Sequence, residues 1–112
     1  MNYTVSGIVV KGAGYGKKLG FPTVNLATET KELPPQGVYA GMAELEGKKY
    51  RAGIVIGPED RVEAHLIGYS GDAYDKIVKL EVKKFLRVFK KFENEEDLIA
   101  QIEEDLKICS RV

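Results

Sequence analysis

One cysteine, one histidine and no excess of charge of either sign leave several kinds of function without material. Cys109 has no second cysteine to pair with, so an internal disulfide and a cysteine-rich zinc site are both excluded. A reducing, cytoplasmic setting is the natural expectation for such a chain. His65 alone cannot build a metal centre. The 17 basic and 17 acidic side chains cancel, which removes any global electrostatic case for a nucleic acid or an anionic membrane as partner. No run is apolar and long enough to span a bilayer. The N-terminal MNYTVSGIVV lacks both the basic start and the long apolar stretch of a secretory signal. Internal repeats and long linkers are missing too, so 112 residues read as one domain, 1–112, with a modest core.

Glycine, by contrast, is concentrated. Gly12, Gly14, Gly16 and Gly20 fall within the segment KGAGYGKKLGFPTVNL, Lys11 to Leu26, beside Lys11, Lys17 and Lys18. Glycine lets backbone N–H groups approach a ligand closely, successive N–H groups form an anion-binding hollow, and lysine adds a point charge for phosphate. The Thr23 hydroxyl and Asn25 amide are hard oxygen donors of the kind Mg²⁺ accepts beside phosphates. The segment matches neither the Walker loop nor G-x-G-x-x-G, position 17 being lysine, and Pro22-Thr23 predicts that no helix follows to aim a dipole at a phosphate. On residues alone, a nucleotide–metal site and a mobile surface loop both remain open.

Strand patterns cover Tyr3–Val10, Gly37–Glu44, Lys49–Ile56, Arg61–Ile67 and Ile77–Phe89. Tyr50, Ala52, Ile54 and Ile56 share one face; so do Val62, Ala64 and Leu66, with Arg61, Glu63 and His65 opposite. Gly41 marks a bulge or close approach, and Lys83-Lys84 breaks the alternation of the last strand, predicting a bulge there. Ala27 to Gln36 reads as irregular, since Pro34 and Pro35 exclude an interior strand. The chain closes with a helix: Asn94 is its N-cap, Glu95, Glu96 and Asp97 fill the first turn, and Leu98, Ile102, Leu106 and Cys109 form an apolar stripe widened by Ile99. Glu103, Glu104 and Asp105 read as a solvated helix face, and Tyr39, Tyr50 and Tyr74 as core or rim aromatics. Strands at near-regular spacing followed by one helix predict a mainly β antiparallel barrel or sandwich, with a ligand at a rim or under a loop.

The string GKKLGFPTVNL, the later PPQGVYAG, then VEAHLIGYSGDAY, FLR and FENEEDLIAQIEEDL resemble the riboflavin kinase family in order over nearly the whole chain. That family moves the γ-phosphate of ATP to riboflavin to give FMN, and its kinase domain also forms part of bifunctional bacterial FAD synthetases. The resemblance implies a six-stranded antiparallel Greek-key β-barrel with a C-terminal α-helix. It further implies Mg²⁺ as cofactor, with Thr23 and Asn25 as metal and phosphate ligands, and Gly14, Gly16 and Lys17 as a phosphate cradle within a nucleotide segment that includes Gly20 and Pro22. The family's Glu-x-His glutamate maps onto Glu63, implying a general base; Arg87 and Phe92 fall where the family holds the flavin. A monomer binding two small molecules is the corresponding expectation.

Departures cluster in the flavin half. Val24 stands where the family has alanine and Lys17 where it has arginine, but Asp75 replaces a glycine and Phe89 an acidic residue. They motivate an alternative: a flavin- or nucleotide-binding barrel without phosphotransfer. The lysine pairs Lys48-Lys49, Lys83-Lys84 and Lys90-Lys91 read as solvated strand edges rather than a nucleic-acid surface. Met1 leading straight into a strand, with no second nucleotide motif, predicts a stand-alone kinase that does not form FAD.

Overall fold

The computed structural model describes residues 3–12, 14–30 and 32–112. Ala13, within the glycine segment, lies outside the described residues. Six strands, β1 (Tyr3–Val10), β2 (Val24–Ala27), β3 (Gly37–Leu45), β4 (Lys48–Ile56), β5 (Val62–Leu66) and β6 (Ile77–Arg87), close into a barrel in the order β1-β2-β5-β4-β3-β6. Every neighbouring pair is antiparallel. The expected Greek-key barrel with one C-terminal helix is what the chain forms. Among the described residues no helix is long and apolar enough to cross a membrane.

Alternation builds the core. Val5 and Val9 of β1, Ala52, Ile54 and Ile56 of β4, Val62, Ala64 and Leu66 of β5, and Val78, Leu80 and Val82 of β6 all point inward and are buried. Burying one such branched side chain is worth about 1.5–3 kcal/mol, so these interdigitated rows carry the fold. Strand β3 is buried on both faces from Gly37 to Gly41, because the helix α2 (Glu95–Cys109) lies over its outer side and that of β4. Gly53 makes that seat possible: a Cβ there would stand 3.2 Å from Leu106 Cδ2 and 3.6 Å from Cys109 Sγ.

Two irregularities interrupt the pairing of β3 with β6. Pairing of β3 with β6 slips between Ala40↔Lys84 and Gly41↔Val82, leaving Lys83 as an extra residue, and again between Val38↔Arg87 and Tyr39↔Phe85, leaving Leu86 extra. The predicted bulge is therefore present, with a second beyond it. Gly41 sits beside the first, where a Cβ would overlap the Glu81 carbonyl oxygen.

Three expectations are corrected. Residues 24–27 form β2, inside a region read as a loop running into an irregular stretch; its short run follows Pro22 and offers little periodicity. The glycine segment does contain a helical turn, α1 (Tyr15–Lys18). It stops at once because Gly20, at φ +92°, lets Phe21 N–H reach Gly16 O (2.8 Å) and Gly20 N–H reach Lys17 O (3.1 Å), a Schellman closure. Four residues align few peptide dipoles, so α1 contributes little field. Finally, Asp105 is not on a solvated face but 6% exposed, paired with Arg87 across the helix–barrel junction.

Candidate active site

The outward faces of the strands, not the barrel interior, carry the site. A cavity of about 560 Å³ lies against the outer wall formed by β2, β5, β4 and β3. That volume falls within the usual range for a small-molecule site. The glycine segment covers one side through Gly14, Gly16, Leu19 and Phe21; residues 89–95 and the α2 side chains Leu98, Ile102 and Leu106 cover the other.

The polar centre comes from pairing β2 with β5, which sets Asn25 opposite Glu63 and Val24 opposite Ala64. Thr23 Oγ1 donates to Glu63 Oε1 at 3.1 Å, while Arg61 Nε lies 3.1 Å from the second oxygen, Glu63 Oε2. The Asn25 amide is pressed against Gly12, where any Cβ would overlap it. His65 Nδ1 lies 2.6 Å from Pro22 O, so the imidazole carries its proton on Nδ1 and donates to that carbonyl. Its ring meets Phe21 edge-on at 6.3 Å. Thus His65 pins the turn that delivers Thr23, which is a positioning task.

The opposite wall is organised by Arg87, at the end of β6. Its Nε bonds both Asp105 oxygens at 3.1 Å and its Nη2 reaches Asp105 Oδ2 at 2.9 Å; Gln101 Nε2 adds a bond to Oδ1 at 3.0 Å. The guanidinium also lies over the Phe92 ring, 5.7 Å from its centroid, and Lys90 approaches the same ring at 5.2 Å. Behind this wall Cys109 is fully buried, and burial first, then the nearby Asp105 carboxylate, push its thiol up to about 11. Asn94 caps α2 by accepting from Asp97 N–H at 2.9 Å, fixing where the helix begins beside the cavity.

Of the residues singled out from the sequence, Gly14, Gly16, Thr23, Asn25, Glu63, Arg87 and Phe92 all line this one cavity. Lys17, Gly20 and Pro22 are not among its lining residues: Gly20 closes the helical turn, and Pro22 offers its carbonyl to His65. Nucleotide-side and flavin-side expectations therefore converge on a single space.

The Flavokinase family, described as riboflavin kinase, matches residues 1–112. This chain belongs to the riboflavin kinase family. It is 34% identical over 114 residues to the bifunctional riboflavin kinase/FMN adenylyltransferase of Bacillus subtilis (strain 168), covering 92% of this chain and 36% of that protein. The protein of the same name from Escherichia coli (strain K12) is 31% identical over 111 residues, with the same coverages of 92% and 36%. The chain thus spans 36% of the length of these curated relatives. Among solved structures, one described as a macrolide-efflux protein from Streptococcus pneumoniae matches 97% of this chain and 38% of its own, with TM-score 0.91 and 27% identity. A riboflavin kinase from Trypanosoma brucei matches 98% of this chain and 78% of its own with TM-score 0.74; at 22% identity it speaks for the fold.

Sequence reasoning missed parts of the site in this family member. Arg61 shares the outward face with Glu63 and His65, and that two-residue spacing was the signal that could have found it. The α2 side chains Leu98 and Ile102 read simply as helix residues, and Phe89 only as a departure in the flavin half. Their place in the cavity depends on α2 folding back over β3 and β4.

Proposed function

We propose that this chain transfers the γ-phosphate of ATP to the 5′-hydroxyl of the ribityl chain of riboflavin, giving FMN and ADP. The observation that carries this reading is the contact of Thr23 with Glu63 on the floor of a cavity that has a glycine segment on one side and an apolar wall on the other. Family membership supplies the prior.

Glu63 acts as general base. Its carboxylate takes the proton of the ribityl hydroxyl as that oxygen forms its bond to phosphorus and the bond from phosphorus to the ADP oxygen breaks. The site residues suit a divalent cation. Thr23, with its proton directed to Glu63, keeps its oxygen lone pairs available, and the Asn25 amide is held in place over Gly12. Thr23 and Asn25 would hold Mg²⁺, which when bound neutralises charge on the phosphates. With Thr23 and Asn25 as its protein donors, such an ion would draw its remaining oxygen ligands from phosphate and water. Backbone from Gly14 to Gly16 faces the phosphates, and Phe89, Phe92, Leu98 and Ile102 offer the apolar surface that a flat flavin ring needs.

The test is FMN formation by purified protein supplied with riboflavin, ATP and Mg²⁺. Turnover that falls on Glu63→Gln supports the reading. Tight flavin or nucleotide binding without any FMN would replace it with the binding-module alternative.

A further inference from the structure

Arg61 has no role in the mechanism above, yet its guanidinium stands in the cavity between Glu63 and Phe89. Its backbone is held on both sides, with Gly57 N–H donating to Arg61 O at 2.8 Å and Arg61 N–H to Pro58 O at 3.3 Å. Only the side chain is then free to move. Its Cζ lies 5.8 Å from the centroid of the Phe89 ring. On its other side it rests against Gly57, where a Cβ would come to 3.0 Å from Nη2. Its shortest approach to Glu63 is from Nε, 3.1 Å from Oε2.

The contrast with Arg87 is instructive. Arg87 spends both Nε and Nη2 on a carboxylate whose side chain is 9% exposed, and its own is 21% exposed. Arg61 is 52% exposed and its partner Glu63 24%, so their pair is solvated and easily exchanged. A half-exposed guanidinium in the cavity, 3.1 Å from the carboxylate assigned as base, is well made for a phosphoryl group.

We infer that Arg61 is a phosphate-contacting residue that rests on Glu63 until a triphosphate binds and then passes from the carboxylate to the phosphoryl oxygens. The inference rests on the phosphotransfer reading. The moving cation serves twice, because charge that accumulates on the phosphoryl oxygens during transfer is stabilised by the same guanidinium.

The experiment compares wild type, Arg61→Ala, Arg61→Lys, Glu63→Gln and the Arg61→Ala/Glu63→Gln double variant, each checked by thermal melting for an intact fold. FMN formation is measured with ATP and riboflavin varied separately, and a non-hydrolysable ATP analogue with Mg²⁺ is titrated into every variant. Arg61→Ala is expected to lower kcat about 10²-fold and raise KM for ATP, with KM for riboflavin unchanged; Arg61→Lys recovers part of the loss because it keeps the charge without the fork. Glu63→Gln should bind the analogue more tightly than wild type, and that gain should vanish when Arg61 is also alanine. Unchanged kcat and ATP KM in Arg61→Ala, or an equal gain from Glu63→Gln with and without Arg61, overturns the inference. Absence of FMN with wild type overturns the phosphotransfer reading instead, and the analogue titrations still decide whether Arg61 exchanges partners.

Discussion

Thr23 and Glu63, 40 residues apart in sequence, meet through a 3.1 Å hydrogen bond from hydroxyl to carboxylate. One member immediately precedes β2 and the other lies near the start of β5; the pairing of β2 with β5 brings them together. The bond sends the Thr23 proton to the carboxylate, leaves the hydroxyl lone pairs uncommitted and steadies the carboxylate in one geometry.

Replacing Glu63 by glutamine keeps an acceptor for Thr23 but removes the basic oxygen. We expect kcat for FMN formation to drop ~10²–10⁴-fold while the nucleotide still binds. Rapid-quench or steady-state rates beside calorimetric titration of an ATP analogue would check this; full activity would remove Glu63 from its role.

Thr23→Ala deletes both the donor to Glu63 and a hard oxygen. Mg·ATP binding should weaken more than riboflavin binding. Separate titrations of the two substrates read the difference, and equal losses would argue that the substitution merely loosens the turn.

Asp105→Ala leaves Arg87 without its partner at a mostly buried junction. Orphaning such a charge costs about 3 kcal/mol, or roughly 10–15 °C in melting temperature for a domain of this size. A melt within two or three degrees of wild type would show that the pair is dispensable for stability.

Gly20→Ala tests backbone conformation alone. A Cβ at Gly20 meets nothing within 4 Å, so any loss comes from its φ of +92°. About 1–2 kcal/mol is expected, with Gly20→Asn milder because asparagine tolerates that region better. Chemical denaturation measures both.

Cys109 links stability to alkaline pH. Its thiol is raised from an ordinary 9.0 to about 11 in the folded chain. Well below pH 9 the thiol is neutral in both states and costs nothing. Between 9 and 11 the unfolded chain loses a proton that the folded chain keeps, so stability falls with a slope approaching 1.4 kcal/mol per pH unit. Burial raises the Tyr39 phenol from 10.0 as well, which adds loss of the same sign at still higher pH. Cys109→Ala should remove the thiol's part of the slope in denaturation curves taken across this window, and an unchanged slope would refute the assignment.

Much of the barrel was legible because its strands alternate. The inward rows of β4 and β5 and the capped stripe of α2 announce themselves by period alone. Short elements did not. Strand β2 has four residues, and the α1 turn is written in glycines that argue against helix until Gly20 closes it. Asp105 misled for a different reason: its partner Arg87 sits 18 residues away on another element, and helical spacing within α2 carries no trace of it. As for the site, Glu63 looked like any solvated strand glutamate. Only its likeness to a family motif raised it, whereas the meeting with Thr23 and Arg61 is a product of tertiary structure.

Because the cavity lies outside the closed barrel, strand β5 is divided lengthwise. Val62, Ala64 and Leu66 answer to the interior, while Glu63 and His65 answer to the cavity. Substitutions at the outward positions can therefore be sampled in a library without disturbing the packed rows behind them. A protein engineer would vary the 88–94 segment and the outward positions other than Thr23, Asn25, Gly53 and Glu63, and leave every inward residue alone.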